Sequence, residues 1–367
     1  MLEEGRINGR QLFFIMFWTY MATAILNLPT IIAGYAPRDG WLMCALFFIP
    51  CAGLMVWITS KLGAMFPQQT FVEYSDLVLG PWLGKFVSAL VILWIFHTGV
   101  LVYDEIVGLF AMVTLPDTPI PVLFILISLA PAYAVYHGLE VIGRSADFLF
   151  FIILVFFLMS YLLLIPEFDF TELLPVFGDG IGNILRSSLT VIAYAGEFLI
   201  VLFFYPNIRN NQKVAKILVS AIVAIGLGGV LTTGSYTMIF GLECNILKIP
   251  YYLLSRYASI GRAIERMDPF FMITNFLGSY LKLSILIYAI VLGLAQLFRM
   301  KNYRKLIIPV IVALNLFAYY SFRSLMQVID YLDKIWPFYS LPIEIGIPLL
   351  LISVAKFRGL GYSKKNP

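Results

Sequence analysis

Long runs of apolar residues, separated by short polar segments, dominate the pattern of this chain. A helix that crosses a bilayer needs about 20 mostly apolar residues, and runs of roughly that length recur along the whole sequence. The pattern predicts an all-α integral membrane protein, a single transmembrane domain over 1–367. Its ten transmembrane helices, called spans one to ten, are predicted near residues 11–35, 41–64, 86–114, 120–138, 146–165, 183–205, 214–240, 270–298, 306–322 and 336–355.

Lysine and arginine residues predict the orientation of these spans, because cytoplasmic loops carry an excess of them. With both termini on the cytoplasmic side, 16 of the 25 basic residues fall on that side. The opposite side is acidic between spans five and six, with Glu167, Asp169, Glu172 and Asp179. We therefore expect short cytoplasmic termini and a multi-pass membrane location.

Two connections have a pattern of their own. The segment Phe71–Gly80 is amphipathic and is followed by Pro81, which predicts a short helix that ends at the glycine. The segment Glu243–Arg266 mixes aromatic and basic residues, which predicts a surface helix or lid on the opposite side of the membrane.

Two spans are interrupted, and they lie half a chain apart. Span one is interrupted over 22–29 and span six over 193–197. Spans one to five and spans six to ten start from opposite sides of the membrane, so the pattern predicts two inverted repeats, each of which begins with a broken helix. A pair of such breaks is typical of transporter-type ligand sites near the middle of the bilayer.

The composition, 61% hydrophobic and 13% charged with a mean hydropathy of +0.90, agrees with a polytopic membrane protein. Two His and three Cys residues offer no metal-ligand spacing, and the chain has no P-loop and no nucleophile motif. We expect no enzyme activity, no metal and no cofactor. The net charge of +4 reflects topology, so no nucleic-acid partner is expected.

Charged side chains inside the spans need a physical reason, because each costs about 2.5–3.5 kcal/mol near the bilayer centre on insertion scales. We expect Glu105 to lie toward the outer interface, since it is in the outer half of its span. The set of titratable residues within spans comprises His97, Asp104 and Glu105 in span three, Glu197 in span six, Lys282 in span eight and Glu344 in span ten.

The polar face of span three allows two interpretations. His97, Leu101, Asp104 and Gly108 follow helical spacing and share one face. In the first interpretation this face packs inward and its polar groups bond to neighbouring helices. In the second it lines a cavity, where a histidine and a carboxylate two turns apart relay a proton.

Lys282 lies on a stripe of small and polar residues in span eight, which is typical of close helix packing. A buried ammonium group needs a carboxylate, and Glu197 and Asp104 are the candidate partners. A buried lysine can also take the place of a bound sodium ion, because it contributes the same charge. Both alternatives stay open from the sequence.

The interruption in span one also has two interpretations. Alanines stand at Ala22 and Ala24, where glycines would be expected, and Pro29 removes one helical N–H bond. One interpretation is an ordinary proline kink. The other is an unwound stretch whose free N–H and C=O groups bind a zwitterion, with the half-helix that begins near Asn27 directed at a carboxylate.

Span six favours the second interpretation, because Gly196 is flexible and Glu197 beside it can accept an ammonium group or Lys282. Together the two breaks would offer donors for a carboxylate and acceptors for an amine, which suits an amino acid. Apolar walls would come from Ile25, Leu26, Val191 and Phe198.

Several stretches in chain order carry a resemblance to a known family. They are ILNLP at 25–29, FVEY at 71–74, GPWLGK at 80–85, GLEVIGR at 138–144, LPVFGDGIG at 174–182 and ERMD at 265–268. On these stretches the chain resembles the spore germination permease family, the B-type subunits of nutrient germinant receptors in endospore-forming bacteria. That family is part of the amino acid–polyamine–organocation transporter superfamily.

The resemblance implies ten helices in a five-plus-five inverted repeat, with a first repeat over about 11–165 and a second over about 183–355. It implies a location in the spore inner membrane together with a larger A-type membrane subunit and a C-type lipoprotein subunit. It places the ligand site between the broken helices and spans three and eight, at Thr23, Ala24, Ile25, Tyr194, Gly196 and Glu197. The family pattern has glycines where Ala22 and Ala24 stand, which bears on the unwinding and on the ligand's size.

Three functions remain compatible with these residues. The first is a receptor subunit that binds a small germinant, with an amino acid as the best fit, and signals through partner subunits. The second is a secondary transporter that couples amino-acid uptake to protons or ions through His97, Asp104, Glu197 or Lys282. The third, a structural scaffold, leaves the buried charges without a role in ligand binding.

Overall fold

The fold is a bundle of long apolar helices. The structure, a computed structural model, describes residues 3–247, 250–257, 268–322 and 324–361. Within those ranges ten helices are long and apolar enough to span a membrane, which confirms the predicted number and order. Spans one to ten comprise Gly9–Ala33, Gly40–Met65, Pro81–Val113, Ile120–His137, Leu139–Glu167, Ile181–Phe203, Asn211–Asn245, Pro269–Leu297, Tyr303–Ser321 and Trp336–Phe357.

Spans one, eight and six form the centre of the bundle. The most apolar stretch of span one is 94% buried, that of span eight 83% and that of span six 78%, whereas that of span nine is only 28% buried. Span one packs chiefly on spans seven and eight, and span eight on spans three, five and one. Polar side chains are tolerated in these central spans because they meet protein instead of lipid.

Span six has the interruption that its sequence predicts. It is an α-helix over Ile181–Ala195 and a 3₁₀-helix over Gly196–Phe203. Spans two and ten are also irregular, with π-helical turns at Met43–Phe48 and Pro342–Gly346. Such turns change the direction of the side chains that follow, and they are frequent at functional sites.

In contrast, the interpretation that span one contains an unwound stretch is wrong. Span one is a single α-helix over Gly9–Ala33, and Pro29 lies inside it. The alanines at positions 22 and 24 are the strongest helix formers, so they favour a continuous helix where glycine would have favoured unwinding. A proline alone removes a single backbone hydrogen bond.

The first predicted connecting helix is confirmed over Phe71–Leu79. Thr70 and Glu73 cap its start by reciprocal side-chain to backbone bonds, and Gly80 ends it with a φ of +85°. A further helix, Leu325–Lys334, precedes span ten and was not predicted. Of the segment predicted as a surface helix or lid, the helix Pro250–Tyr257 is present, while residues 258–266 lie outside the described residues, as do 265–267 of the ERMD stretch.

Both ends of span one are tied to segments that adjoin span six. Before span one, the Ile7 amide donates to the Asn207 carbonyl (3.0 Å), and the Arg209 amide donates to the Ile7 carbonyl (2.8 Å). After span one, Asp39 and Asp179 form a reciprocal clamp. The Asp39 carboxylate accepts the Phe177 and Asp179 amides (both 2.8 Å).

The clamp is completed by Asp179, whose Oδ2 accepts the amides of Arg38 (2.7 Å) and Asp39 (2.9 Å). Four backbone donors of two loops are satisfied in this way. Because an unsatisfied buried donor costs about 1–3 kcal/mol, the clamp fixes the entry to span six relative to the end of span one.

Candidate functional site

A buried ion pair lies where spans one, six and eight meet. The Lys282 Nζ donates to both Glu197 carboxylate oxygens, at 2.7 and 2.9 Å, and to the Thr23 hydroxyl at 2.7 Å. All three residues are at most 4% exposed. Of the two candidate partners for Lys282, the structure selects Glu197.

This pair satisfies Lys282 completely, because an ammonium group has three donors and each has an acceptor. Tyr194 adds an aromatic face, with its ring centroid 5.9 Å from the Lys282 Nζ. Burying two charges costs several kcal/mol per ion, which only close geometry and further hydrogen bonds repay. The two-oxygen contact with Glu197 and the bond to Thr23 supply both.

Gly196 lies against a second carboxylate. A Cβ added at this position would overlap the carboxyl group of Glu344, which comes from the π-helical turn of span ten. The Ser340 hydroxyl donates to Glu344, and the Trp94 indole donates to Ser340 (2.9 Å). The absence of a side chain at Gly196 therefore allows span ten to place a buried carboxylate where span six changes from α-helix to 3₁₀-helix, between Ala195 and Gly196. We call this point the junction in span six.

A third buried carboxylate joins spans one and three. The Asn27 amide group donates to Glu105 Oε1 at 2.7 Å, and Glu105 is 2% exposed. The expectation that Glu105 lies at the outer interface is therefore wrong. The side chain points to span one because Asn27, one turn after Thr23 on the same helix, offers it a donor.

The remaining predicted residues of span one lie on an apolar surface. Ala24 and Ile25 line a cavity of about 20 Å³ together with Val191 and residues of spans two and seven. A water molecule fills a cavity of this size, and an amino acid does not fit. The backbone N–H groups here are engaged within the helix, so the predicted free donors for a carboxylate are not present in this conformation.

His97 and Asp104 do not join the central cluster. His97 Nδ1 bonds to the Tyr339 hydroxyl and lies beside the rings of Tyr331 and Trp336. Asp104 lines a different cavity with Gly108, near spans four and nine. No hydrogen bond connects the two side chains in the described part of the chain, so the proton relay stays a hypothesis without a direct contact.

The structure thus brings together Thr23, Tyr194, Gly196, Glu197 and Lys282 of the predicted residues. It adds Asn27, Glu105, Ser340 and Glu344, which sequence reasoning did not assign to the site. Glu105 and Glu344 carried one usable signal, since each is a carboxylate inside an apolar span. Only the fold shows that Glu105 meets Asn27 of span one, 78 residues away, and that Glu344 meets Gly196 of span six.

Solved structures share this fold. A Na⁺-coupled sialic acid symporter, in a substrate-bound outward-open state, matches with a TM-score of 0.69 at 12% identity over 95% of this chain and 79% of that one. MhsT in complex with L-phenylalanine matches with a TM-score of 0.61 at 12% identity over 94% and 97%. The chain is therefore a membrane protein of the transporter fold with two inverted repeats of five spans.

The family follows from the sequence comparison. The model of the spore germination protein family (spore permease) matches residues 6–324. The chain belongs to this spore germination permease family.

Curated relatives agree with this assignment over nearly the whole chain. Spore germination protein KB of Bacillus subtilis (strain 168) is 28% identical over 366 residues, which is 97% of this chain and 96% of that protein. Spore germination protein YndE of the same strain is 28% identical over 372 residues, 97% of this chain and 98% of that protein.

Proposed function

We propose that this chain is the permease-like subunit of a spore nutrient germinant receptor. It binds a small germinant, with an amino acid as the best fit, near the junction in span six and signals germination through partner subunits. The observation that carries the proposal is the buried Lys282–Glu197 pair, which joins spans one, six and eight at that junction.

The pair supports ligand binding better than a scaffold role. A hydrophobic replacement of a buried ion pair is often neutral or stabilising, so packing alone does not call for these charges. At the junction in span six, the charges of Lys282 and Glu197 can interact with the charged groups of a ligand. Thr23, Ala24, Ile25, Tyr194 and Gly196 complete the proposed ligand-binding residues, with Ala24 and Ile25 on the apolar side.

The signal is a shift between two conformations. A ligand shifts such an equilibrium only through its different affinity for the two states. In this structure the space beside Ala24 and Ile25 is closed to a ligand, because the cavity there is too small for an amino acid. Ligand binding therefore requires an opening of the spans around span one, and partner subunits respond to that opening.

The proposed partners are an A-type membrane subunit and a C-type lipoprotein subunit, in the spore inner membrane with both termini on the spore-core side. Relatives named as spore germination proteins support the spore setting, and the distribution of Lys and Arg supports the orientation. The proposal includes no cofactor and no enzyme activity.

A second candidate is a proton-coupled amino-acid transporter. Fold neighbours that bind a substrate favour it, as do the buried carboxylate oxygens of Asp104 and Glu344 that have no hydrogen-bond partner among the described residues. In that role Lys282 takes the place of a bound sodium ion, and His97, Asp104 or Glu197 couples uptake to protons.

Uptake into liposomes separates the two candidates. The purified chain is reconstituted into liposomes, and labelled L-amino acids are added outside them in the presence and in the absence of a proton gradient. A receptor subunit binds without accumulating solute, so uptake equals that of empty liposomes. Concentrative uptake that collapses with the gradient would overturn the receptor proposal in favour of the transporter.

A further inference from the structure

Two acceptor atoms remain unused beside the Lys282–Glu197 pair. Asn27 Oδ1 and Glu105 Oε2 are buried and have no hydrogen-bond partner among the described residues. Asn27 is 1% exposed and Glu105 2%. The two side chains touch each other through the bond from Asn27 Nδ2 to Glu105 Oε1, so the unused acceptors belong to one polar group.

Unused buried acceptors carry a cost, because a buried polar atom without a partner loses its hydration without compensation. Glu197 does not have this problem, since Lys282 bonds to both of its oxygens. Glu197 is therefore occupied, and Glu105 is the buried carboxylate beside span one that still has an acceptor oxygen to offer.

Glu105 lies among ionisable groups of both signs. The ionisable groups that act on Glu105 are Lys282, Glu197 and Asp104. Lys282 is matched by Glu197, and the Asp104 side chain lines a separate cavity. A protonated amine satisfies this arrangement, because it supplies both a positive charge and the N–H donors that two acceptor oxygens need.

The two unused acceptors lie close to the buried ion pair. Thr23, which accepts from Lys282, and Asn27 are four residues apart on span one, so their side chains lie about one helical turn, ~5.4 Å, from each other. An ammonium group at Asn27 and Glu105 would therefore lie within the central cluster and leave the Lys282–Glu197 pair intact.

We propose that Asn27 and Glu105 are the hydrogen-bond acceptors for the primary ammonium group of the ligand. In this arrangement Glu197 stays paired with Lys282. This inference rests on the proposed function and narrows it to ligands with a primary amine. It replaces the assignment of the amine to Glu197, which the sequence alone favoured.

The test is ligand binding to the full-length purified chain, measured by titration. The probes are the L-amino acids, each with its des-amino carboxylic acid and its decarboxylated primary amine, together with glucose and inosine as neutral nutrients. We compare the wild type with two variants. Glu105→Gln keeps the shape of the side chain and loses its charge, and Asn27→Ala removes the amide group. Asp117→Asn, an exposed carboxylate in the loop after span three, is the control.

We expect the wild type to bind one or more amino acids and to bind the des-amino acid at least tenfold more weakly. Glu105→Gln and Asn27→Ala should each weaken amino-acid binding at least tenfold, and Asp117→Asn should change it less than twofold. A melting curve without ligand for each variant identifies one that fails to fold, and the other variant then decides.

Two outcomes would overturn the inference and leave the proposed function standing. One is equal binding by Glu105→Gln and the wild type, which would mean that Glu105 is a protonated structural group. The other is wild-type binding of glucose, inosine or des-amino acids only. A wild type that binds none of the probes would instead overturn the proposed function itself.

Discussion

Among the single substitutions considered, a change at Lys282 is expected to cause the largest loss of stability. Lys282→Met leaves the buried Glu197 carboxylate without its cation, and breaking a buried pair costs about 3–5 kcal/mol. We expect a clear fall in the melting temperature of the purified protein. Lys282→Met combined with Glu197→Leu should recover much of that loss, because no unpaired charge remains.

The control is Lys334→Met, since Lys334 forms an exposed pair with Asp330 at 3.4 Å. Exposed pairs contribute little, so this change should leave the melting temperature nearly unchanged. Equal melting temperatures for Lys282→Met and the wild type would contradict the ion pair described here.

Gly196 carries a prediction about packing. Gly196→Ala forces its Cβ into the carboxyl group of Glu344, and overpacking of this kind costs about 1–3 kcal/mol. Adding Glu344→Ala removes the overlap, so the double variant should be less destabilised than the sum of its two single changes. Gly53→Ala, in open space inside the helix of span two, is the control and should not destabilise the protein, because alanine is the better helix former.

Additive melting shifts of Gly196→Ala and Glu344→Ala would show that the two positions are not in contact. This contact also marks a limit of sequence reasoning. The flexibility of Gly196 is readable from its residue type, and Glu344 is readable as an intramembrane charge. That they meet depends on the packing of span ten on span six, which no local pattern records.

At the scale of elements, hydrophobic run length was enough to predict ten spans, because the bilayer thickness fixes the length of a crossing helix. The fate of each interruption was harder to predict. Gly196 led to a change of helix type, while Ala22, Ala24 and Pro29 led to a continuous helix. Helix propensity separates these two cases, whereas the expectation for span one followed the analogy with span six.

The loop clamp yields a prediction at this scale. Asp179→Ala removes the acceptor of the Arg38 and Asp39 amides, and about 1–3 kcal/mol is expected for buried donors left unpaired. Asp179→Asn keeps an acceptor oxygen and should be milder. Thermal unfolding ranks the two, with the exposed Asp117→Ala as the control, and an equal loss for Ala and Asn would contradict the clamp.

For the whole molecule, the ties at both ends of span one suggest which parts move together. Span one is bonded next to the start of span six through Asp39 and Asp179, and next to its end through Ile7 and Asn207. Spans one and six therefore form one unit, and Lys282 and Glu344 contact it from spans eight and ten. We propose that opening is a movement of this unit relative to the neighbouring spans.

Nutrient-triggered germination is the most direct measurement of the proposed function as a whole. Spores in which this chain is the only B-type subunit are exposed to increasing concentrations of mixed L-amino acids, with the protein level of each variant matched to the wild type. Glu197→Gln should raise the half-maximal concentration at least tenfold or abolish the response, while the exposed Asp330→Asn should respond as the wild type does. An unchanged response of Glu197→Gln at a matched protein level would contradict the assignment of the germinant site to this cluster.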